Sequence, residues 1–310
     1  MQITAFRGMK PFPQLLFSGF VILVIFFSFI LLSMLLAMPL FGTDSLLQIT
    51  GIADLSDPES IRVLKYFQIT QSFGLFIVPS LVLAWLFHGH VAEYLLLNKK
   101  SASPSVLMVV ALVFFSLPFV NFIAGWNSRM QFPASLENLE VWMKNAEERA
   151  AALLEVFLKV DSIGGLLFNL FMIAVLAGIG EELLFRGVIQ RIFTSWTRSH
   201  HWGVWISAIL FSALHMQFYG FVPRMLLGVM FGYLLVWSGS MWLPVIAHIF
   251  FNAISVIGIH MIDKGLLAPE FEDIGSSPGS YYLAAISLAL VLLLLLLIRN
   301  ENRNEKLVLP

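Results

Sequence analysis

The 310-residue chain contains no cysteine, which excludes disulfides, a thiolate nucleophile and cysteine-ligated zinc. Charge is scarce as well. Asp, Glu, Lys and Arg make up 12% of the residues, about half the share usual in a soluble domain. Neither sign dominates, the formal net charge being -1, and without a basic patch nothing supports nucleic-acid binding. There is no HExxH pattern, no internal repeat and no low-complexity domain. What is abundant is apolar: 59% hydrophobic residues, 29 of them Phe, and a mean hydropathy of +0.87. These residues fall in separated blocks of about 20, the length that crosses a hydrocarbon core of about 30 Å. The expected fold class is all-α, a polytopic transmembrane helical bundle of about eight spans.

The blocks lie at 15–38, 69–88, 105–124, 163–190, 202–218, 221–237, 242–259 and 281–298. The first follows Arg7 and Lys10, as a signal peptide would, but its apolar run is too long for a cleaved segment and is expected to stay as an anchor. The side from which odd-numbered spans start collects Arg7, Lys10, Lys99, Lys100, Arg191, Arg198, Arg299, Arg303 and Lys306. The opposite side holds the acidic stretches GTDSLLQITGIADLSDPES, 129–161 and DKGLLAPEFEDIGSS. Retention of positive charge in the cytoplasm then puts both termini inside. The expectation is a multi-pass protein of the plasma (inner) membrane. Between the third and fourth spans, SLENLEVWMKNAEERAAALLEVFLKV has apolar residues at helical spacing and Ser135 as an N-cap candidate. It is expected to form an amphipathic helix on the outer interface, a lid without a catalytic part.

Against this apolar background the stretch GIGEELLFRG at 178–187 demands an explanation. An ionisable residue at the centre of a span costs a few kcal/mol, so such groups face a cavity or a partner. Glu182 and Arg186, four apart, can pair on one face of a helix. Glu181 points about 100° away and stays free. Snorkelling of all three at the interface is the plain alternative. His215 falls inside the fifth block, and His248 and Asn252 sit one turn apart in the seventh. These could be packing groups or an interhelical clamp. At 1.5 Å per residue, His215, His248, Asn252 and Glu181 fall about 9 to 20 Å in from the basic side, which allows one shared layer. A carboxylate in low dielectric is a stronger base and can deprotonate water, while imidazole and amide N–H groups stabilise an oxyanion. Such parts suit water attack on an amide. Two other readings use the same residues: a zinc site with His215, His248 and Glu181 as ligands, and a polar layer that binds an ion or partner in a transporter or scaffold.

EELLFR, FSALH and HIFFN match, in order and spacing, the EExxxR, FxxxH and HxxxN motifs. In them the chain resembles the CPBP family, the CAAX-protease and bacteriocin-processing intramembrane proteases also called Abi proteins. The stretch between the second and third motifs also resembles that family. The resemblance covers about 163–259 and implies a metal-free glutamate peptidase without cofactor. Glu181 would activate water with help from His215, Glu182 and Arg186 would support the site by pairing, and His248 with Asn252 would form the oxyanion hole. It also implies a helical bundle whose cavity opens to the cytosolic side, and a membrane-associated peptide or protein as substrate. Prenylated CAAX substrates are not implied for this chain. The expected organisation is N-terminal helices with the outer segment at 1–162, a catalytic core at 163–260, and a loop, last span and tail at 261–310.

Overall fold

A computed structural model describes residues 6–43 and 55–303. Most of the acidic stretch after the first span, and Lys306, lie outside the described residues. Nine main helices follow in chain order: α1 (Pro11–Phe41), α2 (Pro58–His88), α3 (Ser103–Asn127), α4 (Glu137–Leu158), α5 (Ile163–Thr197), α6 (His200–Leu214), α7 (Phe221–Ser238), α8 (Trp242–Asp263) and α9 (Tyr281–Glu301). Among the described residues there is no strand. All but α4 and α6 are long and apolar enough to cross a membrane. The protein is an integral membrane protein.

Helix starts follow local chemistry. Pro11 and Pro58 occupy first-turn positions, where a missing N–H costs nothing and the fixed φ suits a helix. Asp57 caps α2 by accepting from the N–H groups of Glu59 and Ser60 at 3.3 and 2.9 Å. Ser162 caps α5 by accepting from Gly165 N at 3.0 Å. At the other end of a helix, Gly239 stops α7 with φ +61°, a left-handed conformation that a Cβ disfavours. The chain then enters α8 after three residues. Leu16, Phe20, Leu23, Phe27, Leu31 and Leu35 of α1 are exposed at three- and four-residue steps, a stripe suited to lipid.

Two expectations change. The 202–218 block is only the 15-residue α6, about 22 Å long. By itself α6 is shorter than a 30 Å core, whereas α7 with the short turn before it, Phe218–Ser238, is long enough to cross. Ser135 does not cap α4: it sits in a short 3-10 turn, Ala134–Leu136, and α4 begins at Glu137 with no side-chain cap. The turn satisfies the first α4 amides in place of the hydroxyl.

Two apolar clusters organise the bundle. One joins α2, α5 and the segment after α2 through Leu83, Phe87, Leu95, Phe185, Val188 and Ile192. The other joins α3, α7, α8 and α9 through Leu112, Phe231, Leu234, Leu243, Ala247 and Val291. Lipid is as apolar as these side chains, so close packing and interhelical hydrogen bonds hold such clusters together. Small residues provide the approach. A Cβ on Gly178 of α5 would lie 2.9 Å from Ile249 Cγ1 and 3.1 Å from its backbone N. Gly228 and Gly232 likewise seat α7 against Ala208 and Val204 of α6, so the GxxxG pattern serves packing within this bundle. The polar side chains described next lie where the two clusters meet.

Candidate functional site

Helix α5 carries the paired glutamates between two π-helical segments, Leu170–Leu176 and Phe185–Ile189. A π turn inserts an extra residue and loosens the ladder, so nearby carbonyls become available to neighbours. Both segments use this. Asn252 of α8 donates its Nδ2 to Ile173 O at 3.1 Å, and Ser207 of α6 donates its hydroxyl to Phe185 O at 2.9 Å. These two bonds tie α8 and α6 to either flank of the glutamates.

Glu182 and Glu181, adjacent in sequence, have opposite surroundings. Glu182 is fully buried. Its Oε1 lies 2.9 Å from Arg186 Nη1 and 2.8 Å from His248 Nδ1. Arg186, also buried, donates Nη2 to Gly228 O at 3.1 Å and lies 4.8 and 5.5 Å from the ring centroids of Phe211 and Phe231. One turn further, Gln190 donates to Gly232 O at 3.2 Å. Glu182, Arg186 and Gln190 thus form a row at four-residue spacing that reads the two glycine carbonyls of α7. Burying an ion pair so deep is costly, and these carbonyl and ring contacts offset part of that cost, while Glu182 Oε2 and Gln190 Oε1 are buried without a hydrogen-bond partner.

Glu181 instead faces a cavity, its side chain 12% exposed, with Oε2 3.7 Å from His248 Nε2 and 4.0 Å from His215 Nε2. Those separations are too long for direct hydrogen bonds. Both imidazoles are anchored through the other ring nitrogen. His215 Nδ1 is 2.8 Å from Phe211 O, and a carbonyl only accepts, so Nδ1 carries the proton and Nε2 is a free lone pair. His248 Nδ1 donates to Glu182 in the same way, and its ring stacks on Phe231 at 5.1 Å. The structure therefore brings Glu181, His215 and His248 together and holds Glu182 and Arg186 behind them. Asn252 lines the same cavity, with one amide hydrogen committed to Ile173. Among the described residues no group of three His, Cys, Asp or Glu side chains is arranged to hold a metal ion.

The cavity has a volume of about 530 Å³. Besides the motif residues it is lined by Gln68, Gln217 and Arg224, and by Ala150, Leu153 and Leu154 of α4. Gln217 and Arg224 were no part of the expected site, although an arginine at the α6–α7 junction was visible in the sequence. Gln190 was missed too, and its signal is the four-residue row with Glu182 and Arg186. The α4 contribution has no such signal, because it depends on how an amphipathic segment folds back over the bundle. Part of the lining comes from α4, which joins the ends of α3 and α5 opposite the termini.

The fold is that of a polytopic helical membrane protein. Residues 163–254 match the family described as type II CAAX prenyl endopeptidase Rce1-like, and over that segment the chain is similar to that family. Two curated relatives are themselves uncharacterised. YpbD of Bacillus subtilis (strain 168) is 27% identical over 90 residues, which cover 28% of this chain and 43% of that protein. A 24.3 kDa protein of Escherichia coli is 32% identical over 94 residues, covering 28% of this chain and 42% of its own length. The chain thus spans less than half the length of either relative. No solved structure gives a significant match.

Proposed function

We propose that the protein is an intramembrane endopeptidase that hydrolyses peptide bonds of membrane-associated substrates, with Glu181 as the base that activates water. The observation that carries this reading is the placement of the Glu181 carboxylate at the cavity wall, 3.7 and 4.0 Å from two anchored imidazoles. Points that far apart are matched to one water molecule that contacts all three. Glu181 takes one proton of that water, and His215 accepts the other hydrogen bond through its lone pair. The oxygen adds to the carbonyl carbon, giving a tetrahedral oxyanion. Asn252 offers its second amide hydrogen to that oxygen, and His248, entering the cycle as an imidazolium with a proton drawn from solvent and kept on Nε2 throughout, also donates to it. Glu182 stabilises that imidazolium. Collapse breaks the C–N bond, and the proton held on Glu181 passes to the leaving nitrogen.

Glu182 and Arg186 are positioning residues in this scheme: they fix the ring of His248 and touch no reacting atom. Residues 163–260 form the catalytic core, with 1–162 supplying the outer helix over the cavity and 261–310 the closing helix. The family match supports peptidase activity of the CAAX-protease type.

The test is cleavage of membrane-anchored peptides by the purified protein in detergent, comparing wild type with Glu181→Ala. Cleavage by wild type that the variant loses, and that survives strong chelators, is the expected result. Cleavage by both, or full loss on chelation with recovery on adding zinc, would remove Glu181 as a metal-free base.

A further inference from the structure

We infer that the protein holds a phospholipid of the surrounding bilayer in a second cavity, with an acyl chain inside it and a primary ammonium head beside Glu272. This cavity is separate from the one that Glu181 faces and can be occupied whatever reaction is carried out there.

The second cavity has a volume of about 580 Å³, within the range of about 300–1,000 Å³ in which proteins seat small molecules. Its walls come from three helices long and apolar enough to cross a membrane: α3 with Phe114 and Leu117, α8 with Ile254 and Ile259, and α9 with Ile286 and Leu290. Gly258 widens it, since a Cβ there would meet no atom within 4 Å. Helix α8 is the partition between the two cavities. His248, Phe251 and Asn252 line the first, and Ile254, Ser255 and Gly258 line the second.

The wall selects a hydrocarbon chain. Apart from Glu272, the polar side chains of the lining are Asn121, Ser255 and Ser287, and each already donates to a carbonyl. Asn121 bonds Ile274 O at 3.2 Å, Ser255 bonds Phe251 O at 3.2 Å, and Ser287 bonds Phe115 O at 2.5 Å. A bound water needs two to four polar partners, so an interior of this kind suits an apolar occupant. Between membrane-spanning helices that occupant is an acyl chain.

The rim selects the head. Glu272 is exposed and lines the cavity, and Glu270 and Asp273 beside it are exposed as well. The one cation of the 264–280 segment, Lys264, is bound to Asp161 at 2.6 Å. A rim of this sign repels an anionic head. A primary ammonium can give the carboxylate a charge-assisted hydrogen bond, which a quaternary ammonium cannot.

The test is native mass spectrometry of the full chain released from nanodiscs that contain equal amounts of phosphatidylethanolamine, phosphatidylcholine and phosphatidylglycerol. One retained phosphatidylethanolamine is expected, preferred about tenfold over phosphatidylglycerol, the ratio that one hydrogen bond to a charged group confers. Added to the protein in detergent, the same lipid should raise the thermal midpoint, as a ligand of the folded state does. Glu272→Lys, at an exposed position, should reverse the order of the two lipids. Gly258→Leu fills the cavity and should abolish retention of all three. Retention of every head alike, an unchanged order in Glu272→Lys, or retention that Gly258→Leu leaves intact overturns the inference. A doubled chain mass without lipid assigns the face to a second copy and overturns it too. Should Gly258→Leu fold poorly, the order of retention in Glu272→Lys still decides.

Discussion

The floor and the mouth of the cavity use the same residue types in opposite ways. On the floor, Glu182 and Arg186 are buried, paired and bonded to carbonyls of α7. At the mouth, Glu181, His215, Gln217 and Arg224 face open volume. The paired carboxylates differ by one residue and about 100° of helix. Their contrast teaches that charge inside the bilayer plays two separable roles here: one group fixes ring orientation and helix packing, and the other is kept unpaired for chemistry.

Exchanging each carboxylate for its amide should break that contrast most sharply. Glu181→Gln keeps shape and removes the proposed base, so cleavage should fall by about 10²- to 10⁴-fold. The melting temperature should stay unchanged, because Glu181 makes no direct hydrogen bond to either imidazole. Glu182→Gln should act chiefly on stability. It leaves Arg186 buried without its counter-charge, a loss of about 3–5 kcal/mol, read as a lower midpoint in denaturant titration of the detergent-solubilised protein. Pairing Glu182→Gln with Arg186→Met should recover part of that stability and none of the activity, since a neutral amide oxygen can still accept from His248 Nδ1 but no longer stabilises its imidazolium. Equal effects of the two amide variants on stability and cleavage would erase the division between floor and mouth.

Packing beneath the floor should give the next effect. Gly178→Ala puts a methyl 2.9 Å from Ile249 Cγ1 and 3.1 Å from the α8 backbone. Such crowding costs about 1–3 kcal/mol. It also moves His248 and Asn252 away from Glu181, so kcat should fall along with the thermal midpoint. Gly258→Ala, in the same helix as Ile249 but with open space around it, should leave both unchanged.

Much of this site was legible beforehand because its parts are costly in a membrane. Carboxylates, an arginine and histidines stand out against a chain that is 59% hydrophobic, and the spacing of Glu182 and Arg186 already implied their ion pair. The depth estimate brought His215, His248 and Glu181 into one layer, as the distances bear out. Other features had no local signature. The π turns at Leu170–Leu176 and Phe185–Ile189 offer carbonyls to α8 and α6, and neither the apolar run of the first nor Arg186 and Gly187 in the second marks an inserted residue in the sequence. The 202–218 block read as a full span because Met216 and Phe218 continue its apolar run. The helix ends at Leu214, and Met216 follows with φ +55°, a left-handed turn that no composition rule locates. That early stop leaves His215 and Gln217 in the cavity wall.

The smallest expected effect tests whether α4 closes the mouth or grips the substrate. The Trp142–Phe218 contact is an aromatic pair of the kind worth about 0.5–1.5 kcal/mol. Trp142 is itself 47% exposed, so Trp142→Ala should scarcely change overall stability. If α4 must swing aside before a substrate enters, only the open fraction binds, and the apparent dissociation constant is the intrinsic one divided by that fraction. Weakening one fixed end by that energy then lowers KM by about 2- to 10-fold. kcat should be unchanged, because no group near Glu181 has moved. A rise in KM would instead mean that α4 contributes binding surface to the bound substrate. Tyr219→Phe keeps the backbone bond from Tyr219 N to Glu147 and should leave KM where it is, which isolates the ring contact of Trp142 as the element that sets how often the mouth opens.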